Sequence, residues 1–414
     1  MTTTANSLSL SAYEPIIGPD AVDEIRVLAS RLGRRRFQNV NSTSVGGGVA
    51  EILTRMIPLL QDVGVDATWD LIKGDQAFFN VTKAFHNALH GKPEVITPQM
   101  LDIYRANTEM NLRHFNFTGD TILIHDPQPA GLIQARAKAG RHWIWRCHID
   151  VSAPHPGVWE FLLPYVSQYD AAIFSMPDFS RPLDIPQFLV APSIDPLADK
   201  NKDLPQDFID ATLGKYKLDP QRPIITQISR FDRLKDPLGV IAAYKLVRRR
   251  HDCQLILAGG GAPDDPEGEQ VYQEVLAQAE GDSDIHIINL PPFSDLEINA
   301  LVRGSTVVLQ KSIREGFGLT VSEALWKRKP VIGGAVGGIR LQVVNGLTGF
   351  LVHSPEGAAR RIMQLLSDPT LCLALGENGY LHVKQNFLIT RHLKDYLLVM
   401  LALDHPGQDI VYLN

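Results

Sequence analysis

Cysteine is scarce. Cys147, Cys253 and Cys372 are the only three in 414 residues, too few and too scattered for a disulfide framework or a zinc or redox motif. They read as small apolar residues of a reducing compartment. Long apolar runs are missing as well, since none approaches the roughly 20 residues that span a bilayer. The Ser- and Thr-rich start lacks the charged region and apolar core of a secretion signal. A cytoplasmic protein is expected. Nor is there an excess of positive charge: the formal net charge is -6, so nucleic acid and anionic membranes, which demand a basic face, are poor partners. Neither glycine run has G-x-G-x-x-G spacing with an acidic residue about 20 positions later, which disfavours an NAD-dependent oxidoreductase. No acidic cluster with metal-ligand spacing is evident, so neither a cofactor nor an essential metal is expected. Repeats of solenoid length and low-complexity tracts are also absent.

What is present is regular alternation. Hydrophobic residues make up 44% and charged residues 21%, ordinary for a globular chain. The length is too great for one core and implies two or three domains. Short β-rich runs alternate with longer amphipathic stretches. They are Phe37–Val40, Val65–Ile72, Thr121–His125, Trp143–His148 and Ala171–Ser175, then Ile224–Ile228, Gln254–Ala258, Ile285–Asn289, Thr306–Gln310, Pro330–Gly333 and Gly349–Val352. Such alternation predicts α/β architecture with parallel sheets covered on both faces. Ala191 to Pro196 and the polar stretch from Asp199 to Asp219 make the best linker. Residues 1–195 are therefore assigned to a first Rossmann-like domain and 220–385 to a second, with 386–414 a helical segment returning to the first. Ligands of doubly wound sheets bind outside the carboxyl ends of the strands, and two such domains facing each other would enclose a deep cleft.

Glu315 and Glu323 stand eight positions apart, with Gly316, Phe317 and Gly318 after the first and a helix expected over 320–328. The glycines allow close backbone approach to a ligand, and the helix start favours phosphate. Eight residues of continuous helix would rise about 12 Å. Two carboxylates acting on one glycosidic bond need roughly 5–10 Å, so the spacing suits gripping two ends of an elongated ligand better. Alternatively both glutamates are solvated near a helix start, where negative charge is mildly favourable. Arg230 and Lys235 lie in the strand-to-helix loop after Ile224–Ile228, where a guanidinium and an ammonium could neutralise a diphosphate or simply be solvated. After the first strand, Gly46, Gly47 and Gly48 form either a flexible loop toward the cleft or a plain turn. His148 ends another strand, where it could hydrogen-bond a sugar hydroxyl. Asp126 follows a further strand end, Arg146 precedes His148, and Asn80 lies beside aromatics.

Together these segments resemble the retaining GT-B glycosyltransferases. The carriers are Glu315 and Glu323 with seven residues between them, and Arg230 and Lys235 upstream. The segments 40–53, 78–83, 125–129, 146–150 and 312–321 are similar to the trehalose glycosyltransferring synthases of that superfamily. The resemblance implies a GT-B fold, two doubly wound domains facing a deep cleft. It implies a reversible transfer from NDP-glucose to glucose, giving trehalose with the α configuration retained. Arg230 and Lys235 would hold the donor diphosphate, Glu323 the ribose and Glu315 the donor glucose. Amides around Gly316, Phe317, Gly318 and Leu319, and the loop Gly46–Gly48, would complete the donor site. His148 would lie near the donor sugar, with Asn80, Asp126 and Arg146 as acceptor contacts. The Arg230 loop departs from the pattern at Arg233 and Leu234, which leaves the Arg–Lys pair intact. Partners are then small molecules (NDP-glucose, glucose and trehalose), with a homodimer one candidate for the oligomeric state. A retaining trehalose phosphorylase using inorganic phosphate is the nearest alternative; a non-catalytic sugar-nucleotide sensor is a third.

Overall fold

The β-rich runs become two six-stranded sheets, both wholly parallel, in the computed structural model. The structure describes residues 8–44, 47–138, 141–260 and 266–408. The chain divides into two compact units. One is made of the residues up to Ser193 together with those from Ile389 onward, and the other of Ile194–Leu388.

In the first unit the strands are β1 (Arg36–Asn41), β2 (Asp66–Leu71), β3 (Thr121–His125), β4 (His142–Arg146), β5 (Ala171–Phe174) and β6 (Gln187–Leu189). Their spatial order is β2-β1-β3-β4-β5-β6. β3 is buried at every residue and β4 at all but its first, as expected of strands covered on both faces. The order reverses between β1 and β3, so the loops after these strands open a crevice at their carboxyl ends. β6 was not foreseen: three residues after Pro186 at a sheet edge are too short for alternation to show. The expected strand over 143–148 stops at Arg146, which leaves His148 in the following loop. The helix Ile389–Asp404 closes the unit. It sets Tyr396 edge-on to Phe37 at 6.2 Å and Asp404 at 2.5 Å from Arg35.

The second unit holds β7 (Ile224–Ile228), β8 (Gln254–Gly259), β9 (Ile285–Asn289), β10 (Val307–Gln310), β11 (Val331–Gly334) and β12 (Gly349–Val352), in the order β12-β11-β10-β7-β8-β9. Here the switch point lies between β7 and β10. Val240, Ile241, Tyr244, Leu255, Leu257, Leu309 and Ile332 pack in its core at 2% exposure or less. Each such buried side chain contributes about 1.5–3 kcal/mol. The polar stretch 199–219 is more than a linker: it forms the helix Gln206–Lys215, whose Lys215 pairs with Glu297 on the helix Asp295–Gly304. The two ends of this unit meet, because Ile194 and Leu388 form a parallel bridge and the Ile194 amide donates to Phe387 O at 2.8 Å. Among the described residues no helix is long and apolar enough to cross a membrane.

Candidate active site

In the second unit the loops leaving β7 and β10 meet at the switch point. The first carries Arg230 and Lys235, the second Glu315. They are tied by a main-chain bond from the Ile313 amide to Leu234 O, 2.8 Å. Lys235 Nζ lies 2.5 Å from Glu315 Oε2, the two side chains being 18% and 9% exposed. The same carboxylate oxygen accepts from Ser312 Oγ at 3.0 Å and from Gln310 Nε2 at 3.3 Å. Gln310 is oriented in turn by Thr320 Oγ1, which donates to its Oε1 at 3.1 Å. Gln227, at the interior of β7, fixes the other loop. Its Nε2 donates to Lys235 O at 3.0 Å and its Oε1 accepts from the Lys311 amide at 3.2 Å. Lys311 also pairs with Asp236, which has φ +52 and caps the helix Pro237–Arg248. The guanidinium of Arg230 is 59% exposed and lies 3.5 Å from Asp232. One cation is therefore locked on a carboxylate, and the other reaches into solvent from the same loop.

After Glu315 the chain is held by its neighbours rather than by helix. Gly318 has φ +79 and precedes the helix Leu319–Trp326. The helix therefore starts four residues beyond Glu315, and the rise reckoned for eight continuous helical residues does not apply. Gln342 Nε2 donates to Phe317 O at 2.6 Å and to Gly338 O at 3.1 Å, and the Gly338 amide donates to Gly316 O at 3.0 Å. Phe317 packs edge-on against Phe387 at 5.7 Å. Gly337 has φ +45, and a Cβ there would stand 1.7 Å from Glu315 O, so only glycine lets this strand-end loop pass. Glu323 is 4% exposed, which excludes a solvated glutamate. One turn on, Lys327 Nζ donates to Glu323 O at 3.0 Å and to Asn201 Oδ1 at 2.9 Å. Burial pulls the Lys327 ammonium down to about 7, against the opposing pull of the Glu323 charge.

The first unit assembles its own polar cluster outside β1, β3 and β4. His125 Nδ1 lies 3.0 Å from His148 Nε2, and His125 Nε2 lies 3.1 Å from Asn39 Oδ1. Asp126 has φ +66 and turns its carboxylate back to accept from the His148 amide at 2.7 Å. Burial pushes this carboxyl up to about 7, with the His148 amide and Arg146 pulling the other way. Burial and then the Arg146 charge hold His125 down at about 3 and His148 well below its ordinary value, so both rings are neutral. Arg146 is fully buried and donates to Val190 O at 2.6 Å and Ser175 Oγ at 3.4 Å. Asp126, Arg146 and His148 are thus brought together. Asn80 is not among them: it is exposed on the helix Gln76–Leu89, accepting from Gln76 Nε2 at 2.9 Å. Gly47, with φ +79, opens the helix Gly47–Asp62 with Gly48 in its first turn, and Gly46 lies outside the described residues. Among the described residues no three His, Cys, Asp or Glu side chains are grouped as a metal site requires.

Sequence reasoning missed Gln227, Gln310, Ser312 and Asn39, and read His125 only as part of a polar strand end. For Gln227, Gln310 and Asn39 the readable signal was a polar residue within a strand run.

Residues 39–181 match the family described as trehalose synthase, N-terminal domain, and residues 209–382 match the group 1 glycosyl transferases. The chain is 46% identical over 395 residues to a trehalose synthase of Thermococcus litoralis, covering 94% of this chain and 95% of the relative. A trehalose phosphorylase of Pleurotus pulmonarius is more distant, 29% identical over 90% of this chain and 58% of its own length. The fold is that of a sucrose-phosphate synthase from Thermosynechococcus elongatus, with a TM-score of 0.69 at 17% identity over 90% of this chain and 99% of that one. A trehalose-6-phosphate synthase superposes with a TM-score of 0.71 at 13% identity over 91% and 99%. Two parallel six-stranded sheets in one α/β chain are the GT-B class read from the sequence.

Proposed function

The chain belongs to the trehalose synthase family, and from that premise we propose that it makes trehalose from NDP-glucose and glucose, reversibly and with retention at the anomeric carbon. The observation that carries this reading is the meeting of Arg230, Lys235 and Glu315 on the two loops that leave the switch point of the second sheet.

In the proposed reaction the bond from the anomeric carbon to the diphosphate oxygen breaks, and its electron pair leaves with the diphosphate. An acceptor glucose hydroxyl forms the new bond on the same face, and its proton passes to the departing phosphate oxygen. Charge develops on the diphosphate, so fixed cations at that point supply the largest stabilisation. Arg230 fits this role with its solvent-reaching fork, and Lys235 with its ammonium held at one place by Glu315. Glu315, largely buried and oriented by Ser312 and Gln310, has a second carboxylate oxygen for a donor-glucose hydroxyl. Glu323 would take the ribose. These cations do the work often given to a divalent ion, and we propose that none is required. Three free thiols accord with a reducing, cytoplasmic setting.

The test is a product assay with ADP-, UDP- and GDP-glucose against glucose, with and without phosphate and with a chelator. Trehalose and free nucleoside diphosphate should appear from at least one donor and persist with chelator. Trehalose turnover that requires inorganic phosphate and ignores every nucleotide would overturn the reading.

A further inference from the structure

The polar cluster of the first unit contains a hydrogen-bonded chain that crosses four neighbouring strands. It starts at Thr68 O on β2, passes Asn39 on β1 and His125 at the end of β3, and ends at His148 beyond β4. We propose that Asn39 and His125 are positioning residues that fix the tautomer of His148, so that His148 offers a bare Nδ1 as hydrogen-bond acceptor to a hydroxyl of a sugar substrate. This rests on the trehalose-forming reading for the identity of the ligand, and on geometry alone for the tautomer.

The direction of each bond follows from what its ends can do. Asn39 Nδ2 points to Thr68 O at 3.4 Å, and a main-chain carbonyl only accepts, so the amide oxygen is the atom turned to His125. An amide oxygen also only accepts; His125 must therefore carry its proton on Nε2. A neutral imidazole with Nε2–H has a lone pair on Nδ1, and that atom faces His148 Nε2 at 3.0 Å. His148 Nε2 is then the donor, and its Nδ1 is left as the acceptor. The ring centroids lie 5.3 Å apart with the rings inclined by 15°, a geometry that an N–H···N bond between the facing nitrogens accommodates.

The surroundings keep the chain neutral. The Arg146 charge on β4 opposes protonation of both rings, and His392 on the helix Ile389–Asp404, bonded to Ser193 Oγ at 2.9 Å, is itself held neutral by burial. The Asp126 carboxyl is occupied by the His148 amide. His148 is half-buried, and among the described residues its Nδ1 has no hydrogen-bond partner. An acceptor nitrogen so placed takes a hydroxyl and repels a phosphate oxygen.

The experiment is long-range 1H–15N correlation of the full chain labelled at histidine nitrogens, with His125→Asn and His148→Asn used to assign the signals. A protonated Nε2 and an unprotonated Nδ1 on His148 are expected in the unsubstituted protein. The opposite tautomer, or an even mixture, overturns the proposal whatever the enzyme's activity. Asn39→Leu then removes the acceptor that orders the chain while leaving both rings. It should spread His148 over two tautomers and raise roughly tenfold the KM of the sugar substrate it contacts, read by varying NDP-glucose and glucose in turn, the worth of about one hydrogen bond, with a far smaller change in kcat. Unchanged KM in a cooperatively melting Asn39→Leu also overturns it. Absence of trehalose formation by the unsubstituted protein would refute the functional reading while leaving the tautomer measurement to stand by itself.

Discussion

Lys235 Nζ and Glu315 Oε2 stand 2.5 Å apart although 80 residues separate them in sequence. The contact exists because β7 and β10 are neighbours in the sheet, and the loops that leave them turn toward each other. Neither residue explains the other locally; the strand order does.

Lys235→Ala should lower turnover by about 10²–10³-fold, the effect of removing one fixed charge-stabilising group, and Arg230→Ala should do likewise. Near-normal turnover in Arg230→Ala would sink the assignment. The two variants should part in stability. Lys235→Ala strands a largely buried carboxylate and should cost about 1–3 kcal/mol in urea unfolding, which Glu315→Gln in the same chain should largely restore. Arg230, being well exposed, should melt as the parent does.

The two glutamates should separate in kinetics. Glu315→Gln leaves the ribose end untouched and should depress kcat, whereas Glu323→Gln should raise the KM for NDP-glucose roughly tenfold with a smaller change in kcat. Steady-state rates at varied donor concentration distinguish these outcomes. Equal effects on both constants in both variants would contradict a clamp with distinct ends.

Gly337→Ala tests the backbone seat of Glu315. The new Cβ would meet Glu315 O at 1.7 Å, main chain that cannot swing aside. A cost of roughly 1–3 kcal/mol from overpacking is expected, with about 1–2 kcal/mol more from the positive φ. Turnover should fall with it. Gly281→Ala is the control: its φ is +82 but nothing lies within 4 Å, so only the conformational part remains and activity should survive.

Asp126 gives a pH signature. Its carboxyl, raised from 3.8 to about 7, holds its proton more tightly folded than unfolded. Its contribution to stability is therefore full below the unfolded value and is lost as pH rises through about 7. Asp126→Asn keeps the oxygen that accepts from the His148 amide but cannot ionise. The melting temperature of the parent relative to this variant should decline between pH 4 and pH 7, as the linkage of proton binding to folding requires. A constant difference across that range would show that the carboxyl is not shifted.

Much of the architecture could be read from the chain because parallel strands buried on both faces leave continuous apolar runs, and eleven of those runs became strands. β6 escaped because an edge strand of three residues carries no period. The segment from Glu315 to Glu323 was legible as a candidate site, since glycines between two carboxylates and a helix start are rare together. What holds it was not. Gln310 reads as a strand end and Gln227 as a polar residue within a strand, and their role depends on β7 lying beside β10, which no local pattern encodes. Gly337 looks like any loop glycine until Glu315 O is found beside it. The pairing of His125 with His148 likewise needs the register of β3 on β4, in which His125 sits opposite Arg146.

The bridge from Ile194 to Leu388 gives the second unit the character of a cassette. Its entry and exit lie side by side, so the 194–388 segment can be exchanged for a short turn without stretching the chain that carries the first sheet. The same closure lets that segment be transplanted, or its ends be fused and new termini opened elsewhere. One block of sequence could then be swapped while His125 and His148 stay in their native chain.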